Sequence, residues 1–127
     1  MMRRPKTLAE VAVWTNERRD FSFHLADFLD QFYLERLAEM LAEEPLSLAD
    51  RLEGGDVVDA YLAATAVALA RLIPSDPPAW AWKADRKLRR PWFASDGPAI
   101  RATLLAESPA SFRERNLFVS ANALSRA

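Results

Sequence analysis

The sequence contains no cysteine, a single histidine and only three glycines in 127 residues. Without cysteine there is no disulfide framework, no thiolate nucleophile and no thiolate metal site, and the fold needs no oxidising compartment. A cytoplasmic protein is expected. One imidazole, His24, leaves carboxylates to do any metal binding, and Asp27, Asp30, Glu35 and Glu39 follow neither a Glu-x-x-His nor a calcium-loop spacing. Scarce glycine argues against phosphate-cradling loops, and neither Gly-x-Gly-x-x-Gly nor Gly-x-Ser-x-Gly occurs. No metal and no cofactor are expected. Long apolar runs are missing too: AYLAATAVALA at 60–70 falls well short of the roughly 20 residues that span a bilayer. The basic start MMRRPK runs into Glu10 rather than into a sustained apolar stretch, so neither a membrane span nor a signal peptide is expected.

β-branched residues are also few. Val, Ile and Thr total 12, against 23 Ala and 17 Leu, a balance that favours helix over strand. With 50% apolar and 28% charged residues the chain has ordinary globular composition, and its length suits one core. The expected fold is all-α: a single-domain, irregular helical bundle over residues 1–127, with a sub-boundary at the proline-rich PSDPP, 74–78.

Local signals place the helices. Thr7 is a cap with Glu10 three residues on, a capping-box spacing. Ser22 or Asp20 opens a longer helix with Leu25, Phe28, Leu29 and Phe32 on one stripe. The stripe shifts to Tyr33, Leu37, Met40 and Leu41, which predicts a break near Phe32 to Leu34. PLSLADRLEGG, 45–55, reads as a helical turn and a flexible glycine pair. Asp56 is the expected cap of an Ala-rich helix from Val57 to Ile73, apolar nearly all round and therefore central. AWAWKADRKLRRPWF predicts one or two short helical turns, 97–108 a compact helix with Ile100, Leu104 and Leu105 inward, PASFRERN a further turn, and Ser120 the cap of a last short helix.

Net charge is −1, but it is unevenly spread. Residues 7–60 carry 13 acidic and 4 basic side chains, and residues 61–127 carry 5 acidic and 10 basic. The halves can complement each other inside one fold, so this split alone does not imply an external polyanion.

Chemistry-bearing residues are sparse. On a helix His24 neighbours Asp20 and Asp27, which would orient its ring. It has no nucleophile to serve, since Ser22 reads as a cap, so the simpler reading is structural and no enzyme is expected. The most suggestive stretch is PPAWAWKADRKLRRPWF, where Lys83, Arg86, Lys87, Arg89 and Arg90 lie between Trp80, Trp82, Trp92 and Phe93. Guanidinium groups beside aromatic faces suit nucleic acid, with stacking on bases and charge on phosphates. They equally suit tryptophans that anchor an irregular segment to the central helix. In the tail, Phe112, Leu117, Phe118 and Val119 have the size and spacing of core residues, each worth about 1.5–3 kcal/mol when buried. Their polar neighbours Arg113, Arg115 and Asn116 are less easily explained by packing.

Several stretches together resemble a known group: AEEP at 42–45, DVVDAYLAATAVALA at 56–70, RPWF at 90–93 and IRATLLAESPASFRERNLFVSANALSRA at 100–127. The pattern is similar to small bacterial helical proteins and to the C-terminal region of helix-turn-helix (Xre-type) antitoxin-like regulators found beside nucleotidyltransferase-like toxins. The resemblance implies an antitoxin-like or regulatory companion that acts by binding a protein, a toxin-type enzyme among the candidates. No helix-turn-helix pattern is present, because the first 41 residues are too acidic and aromatic for a recognition helix. The expected interface is therefore Trp82, Lys83, Arg86, Arg89, Arg90 and Trp92, joined by Arg113, Arg115 and Asn116. A protein is the first choice of partner and nucleic acid the second, and the apolar surface of the first segment is also compatible with a homodimer.

Overall fold

The computed structural model describes residues 3–126 and is mainly helical, as the composition predicts. In chain order the helices are α1 (Leu8–Trp14), α2 (Arg18–Glu35), α3 (Glu39–Ala42), α4 (Gly55–Leu72), α5 (Pro98–Glu107) and α6 (Ala110–Arg113). Two 3₁₀ turns, Ala79–Trp82 and Ala84–Arg86, occupy the basic–aromatic segment. A two-residue parallel pair completes the set, with β1 (Trp92–Phe93) in register with β2 (Leu117–Phe118).

The central element is α4. Twelve of its 18 residues are buried, and its alanines let elements on several sides approach closely. One face packs into a large core with Leu8 and Val11 of α1, Phe21, Leu25, Phe28 and Phe32 of α2, Met40 and Leu41. Trp80 and Ala81, which lie beyond PSDPP, join that same cluster. Another face, through Ala60 and Ala64, meets Leu88, Phe112, Leu117 and Val119. Tyr61 packs against both clusters, edge-on to Phe21 and to Phe112. Burial pushes its phenol up to about 12.

Several local expectations hold in detail. Thr7 Oγ1 accepts from Glu10 N at 3.1 Å, while the Glu10 carboxylate reaches back to Lys6 N at 3.0 Å. The stripe Leu25, Phe28, Leu29 and Phe32 is buried. In the tail Phe112, Leu117 and Val119 are buried, and Phe118 stacks on Phe93 at 5.0 Å.

Others are corrected. Helix α2 starts at Arg18, with the Asp20 carboxylate accepting from Glu17 N at 3.2 Å. It runs past the expected break to Glu35 and ends where Arg36 turns left-handed at φ 52°. Residues 45–48 are irregular and 49–54 form turns, in which Leu52 N donates to Leu48 O at 3.1 Å as a single helical turn that goes no further before Gly54. Helix α4 is capped by Gly54 at φ 76°, not by Asp56. Gly55 is required for packing, since a Cβ there would lie 1.9 Å from the Leu48 carbonyl oxygen. On α5 only Leu104 turns inward, and Ile100 and Leu105 are half exposed. Residues 121–124 form a turn, held where the Tyr33 hydroxyl donates to Leu124 O at 2.9 Å and Arg126 grips Asp30 at 2.9 Å.

Candidate functional site

The basic–aromatic segment and the tail are brought together as expected, through their backbones. Leu88 N donates to Arg115 O at 3.1 Å, Trp92 N to Asn116 O at 2.9 Å and Ala94 N to Phe118 O at 3.0 Å. Asn116, left-handed at φ 63°, donates from its amide to Leu88 O at 2.7 Å. It is thus a lacing residue, and asparagine tolerates that backbone conformation better than most residues.

The segment's cations then divide into two sets. Arg86 is 2% exposed. Its guanidinium lies 3.7 Å from the Asp59 carboxylate and 3.3 Å from Glu44, donates to Pro45 O, and stands 5.1 Å from the Trp80 ring centroid. Asp59 is equally buried, and explains why an acid sits in an apolar helix. Its oxygens accept from Leu48 N at 2.8 Å, Ala49 N at 3.0 Å and the Ser47 hydroxyl at 2.9 Å, tying down the turn before α4. Arg115, 3% exposed, donates to Ser111 O and Ala81 O, both at 2.8 Å, and stands 5.0 Å from the Trp82 ring. Its pKa is lowered by burial, and its Nε has no hydrogen-bond partner among the described residues. A buried charge needs this kind of pairing, so both arginines, expected as contacts for a partner, are committed to the fold.

The other set faces outward. Trp82 is 55% exposed, and Lys83, Lys87, Arg89, Arg90 and Arg113 are exposed. Lys83 pairs with Glu44 at 2.7 Å, which holds that carboxyl below its usual range, chiefly through this hydrogen bond. Among the described residues no carboxylate lies within ion-pair distance of Lys87, Arg89, Arg90 or Arg113. A hollow of about 310 Å³ beside Trp82 and Lys83 also reaches Lys87. A second, of about 450 Å³, runs from Lys87 past Arg89 and Arg90 to Trp92. Lys87 therefore joins an exposed indole and a half-buried one into one strip.

At its far end the strip meets residues that sequence patterns did not single out. The Arg18 guanidinium lies 4.9 Å from the Trp92 ring centroid. Its side chain passes over Gly54, where a Cβ would come within 2.3 Å of Arg18 Cδ. Arg18 and Trp92 together stand between an outer hollow, bounded by Asn16, Glu17 and Glu53, and a cleft between α2 and α4. The one available signal was the start of α2: Arg18 and Arg19 open a helix whose first turn normally favours acids.

His24 is half-buried with its ring edge-on to Trp14 at 5.9 Å, and the Asp20 carboxylate is engaged with Glu17 N. Among the described residues no group of three or more His, Asp or Glu side chains gathers to hold a metal ion. Nor, among them, is any helix long and apolar enough to cross a membrane. No family model, no curated protein and no solved structure matches this chain.

Proposed function

We propose that this protein is a non-enzymatic interaction module, an antitoxin-like or regulatory companion that binds another protein through the strip from Trp82 to Trp92. The observation that carries the reading is Trp82, a large indole more than half exposed, continued through Lys87 to Arg89 and Arg90, cations with no carboxylate within ion-pair distance among the described residues. Tryptophan and arginine dominate the energetics of protein interfaces, and beyond its contact with Arg115 the Trp82 indole leaves apolar surface that a partner can cover. The matching partner surface is acidic with an apolar pocket for the indole. The resemblance of about residues 42–127 to the C-terminal region of antitoxin-like regulators points the same way.

Nucleic acid is the second reading, favoured by the arginine–indole stack at Trp92. Glu44 and Asp56 border the same strip, and their charge opposes a run of phosphates. Homodimerisation is a further proposal for a separate surface. On the outer side of α2 Phe23 and Leu34 are 73% and 74% exposed, and sedimentation velocity over a concentration series decides it.

Affinity capture from a lysate of the source organism, at low and high salt and with and without nuclease, separates the first two readings. A stoichiometric protein retained at high salt and after nuclease is the expected result. Release of nucleic acid over a steep salt dependence, with no such protein, would replace the proposal with the second reading.

A further inference from the structure

The outer strip presents groups that a partner can reach with the packed clusters unchanged: Trp82 is 55% exposed, and Lys87, Arg89 and Arg90 are exposed. Their backbone is fixed as well. Leu88 and Trp92 are laced to the tail on either side of Arg89 and Arg90, and the buried Arg115 guanidinium stands 5.0 Å from the Trp82 ring. A surface held in its binding geometry before contact loses little freedom when the partner arrives.

The charge of the strip is concentrated in a narrow row. The hollow beside Trp82 is lined by Lys83, Lys87 and the buried Arg86 and Arg115, with Glu114 as its one carboxylate. The next hollow has Lys87, Arg89 and Arg90, with Asp56 as its one carboxylate. Asp85 lines neither. Lys83 is already paired with Glu44. Lys87, Arg89 and Arg90 remain, with no carboxylate within ion-pair distance among the described residues. A broad acidic face laid on the strip would also bring carboxylates against Glu44, Glu114 and Asp56, and like charges placed together across an interface are costly. A single extended stretch of chain, rising about 3.3 Å per residue, can set its carboxylates over the row alone.

We propose that the element recognised here is a short acidic linear segment of the partner protein. One apolar side chain packs on the exposed surface of the Trp82 indole, and a carboxylate meets each of Lys87, Arg89 and Arg90. Carboxylates on guanidinium groups form charge-assisted and often bidentate hydrogen bonds, the mode by which arginine clusters read acidic motifs. This rests on the protein-partner reading and adds the form of what the partner presents: a linear segment rather than a folded acidic face.

The test is fluorescence anisotropy of the full chain with the labelled peptide FGDDDG at low salt. FGNNNG keeps the anchor without the charge, AGDDDG the charge without the anchor, and hexathymidylate offers a run of phosphates instead. Saturable one-to-one binding of FGDDDG is expected. FGNNNG should bind about tenfold more weakly, the combined worth of a few exposed ion pairs. AGDDDG should also bind more weakly. Trp82→Ala should weaken FGDDDG, as should the double substitution Arg89→Gln, Arg90→Gln, which alters exposed side chains only and should keep the wild-type unfolding midpoint. No saturable binding of FGDDDG overturns the linear-segment inference, as does equal affinity for FGNNNG or an unaltered affinity in the double variant. If affinity capture still retains a stoichiometric protein, the partner reading survives that failure and the partner presents a folded surface. Tighter binding of hexathymidylate than of FGDDDG, lost in the double variant, would overturn both in favour of nucleic acid.

Discussion

Arg86 and Arg89 are three residues apart in one basic run, yet one is fully buried and the other open to water. The same contrast separates Arg115 from Arg113. Residue type does not decide between these fates; the partners within reach do. Arg86 finds Asp59, Glu44 and the Pro45 carbonyl, and Arg115 finds two carbonyls and Glu114 at 3.6 Å, whereas among the described residues Lys87, Arg89 and Arg90 find no carboxylate. A cation satisfied inside serves the fold, and only an unsatisfied one outside is free to recognise something else.

The largest effect should come from breaking the inner set. Asp59→Ala leaves the buried Arg86 only the partly exposed Glu44 as a carboxylate partner and frees Leu48 N and Ala49 N, so a loss of about 3–5 kcal/mol is expected in urea unfolding. Arg115→Met should cost less, about 1–3 kcal/mol. It leaves the carbonyls of Ser111 and Ala81 unpaired but also removes a buried Nε that has no partner. By contrast Arg89→Ala and Arg90→Ala should each stay within about 0.5 kcal/mol by the same measurement.

Much of this contrast was out of reach of sequence patterns. Helix α4 was legible because eighteen residues, 56–73, run without Gly or Pro after Gly55, and the buried stripe of α2 because its apolar spacing matches the helical repeat. The arginine burial was not, since Arg86 meets Pro45 across 41 positions and Arg115 meets Ala81 across 34. One clue was present: Asp59, an acid inside an otherwise apolar helix, requires a buried partner, and a nearby cation is the obvious candidate. The β1–β2 pair is too short for any periodicity to announce and follows from the lacing of Leu88 and Trp92 to the tail. The outer strip was legible as a composition, but which of its cations stay free was decided by the fold.

The smaller predictions concern pH. Tyr61 has a folded pKa of about 12, above its ordinary value of 10.0, because burial favours the neutral phenol. Its contribution to stability is complete below pH 10 and lost as pH rises from about 10 to 12, so alkaline unfolding should overlap the late phase of an ultraviolet tyrosine titration. Glu44 has the opposite sign. Its folded pKa lies below 4.5, so its contribution is present above that pH and lost on acidification through the folded pKa. Glu44→Gln should flatten that acid limb slightly, because the carboxylate is partly exposed.

The most direct test is the triple reversal Lys87→Glu, Arg89→Glu, Arg90→Glu, followed by urea unfolding and by quantitative affinity capture beside the wild type. The expected result is an unfolding midpoint close to the wild type together with loss of the stoichiometric protein partner. A partner retained in full on a correctly folded triple variant would contradict the assignment of the outer strip to recognition.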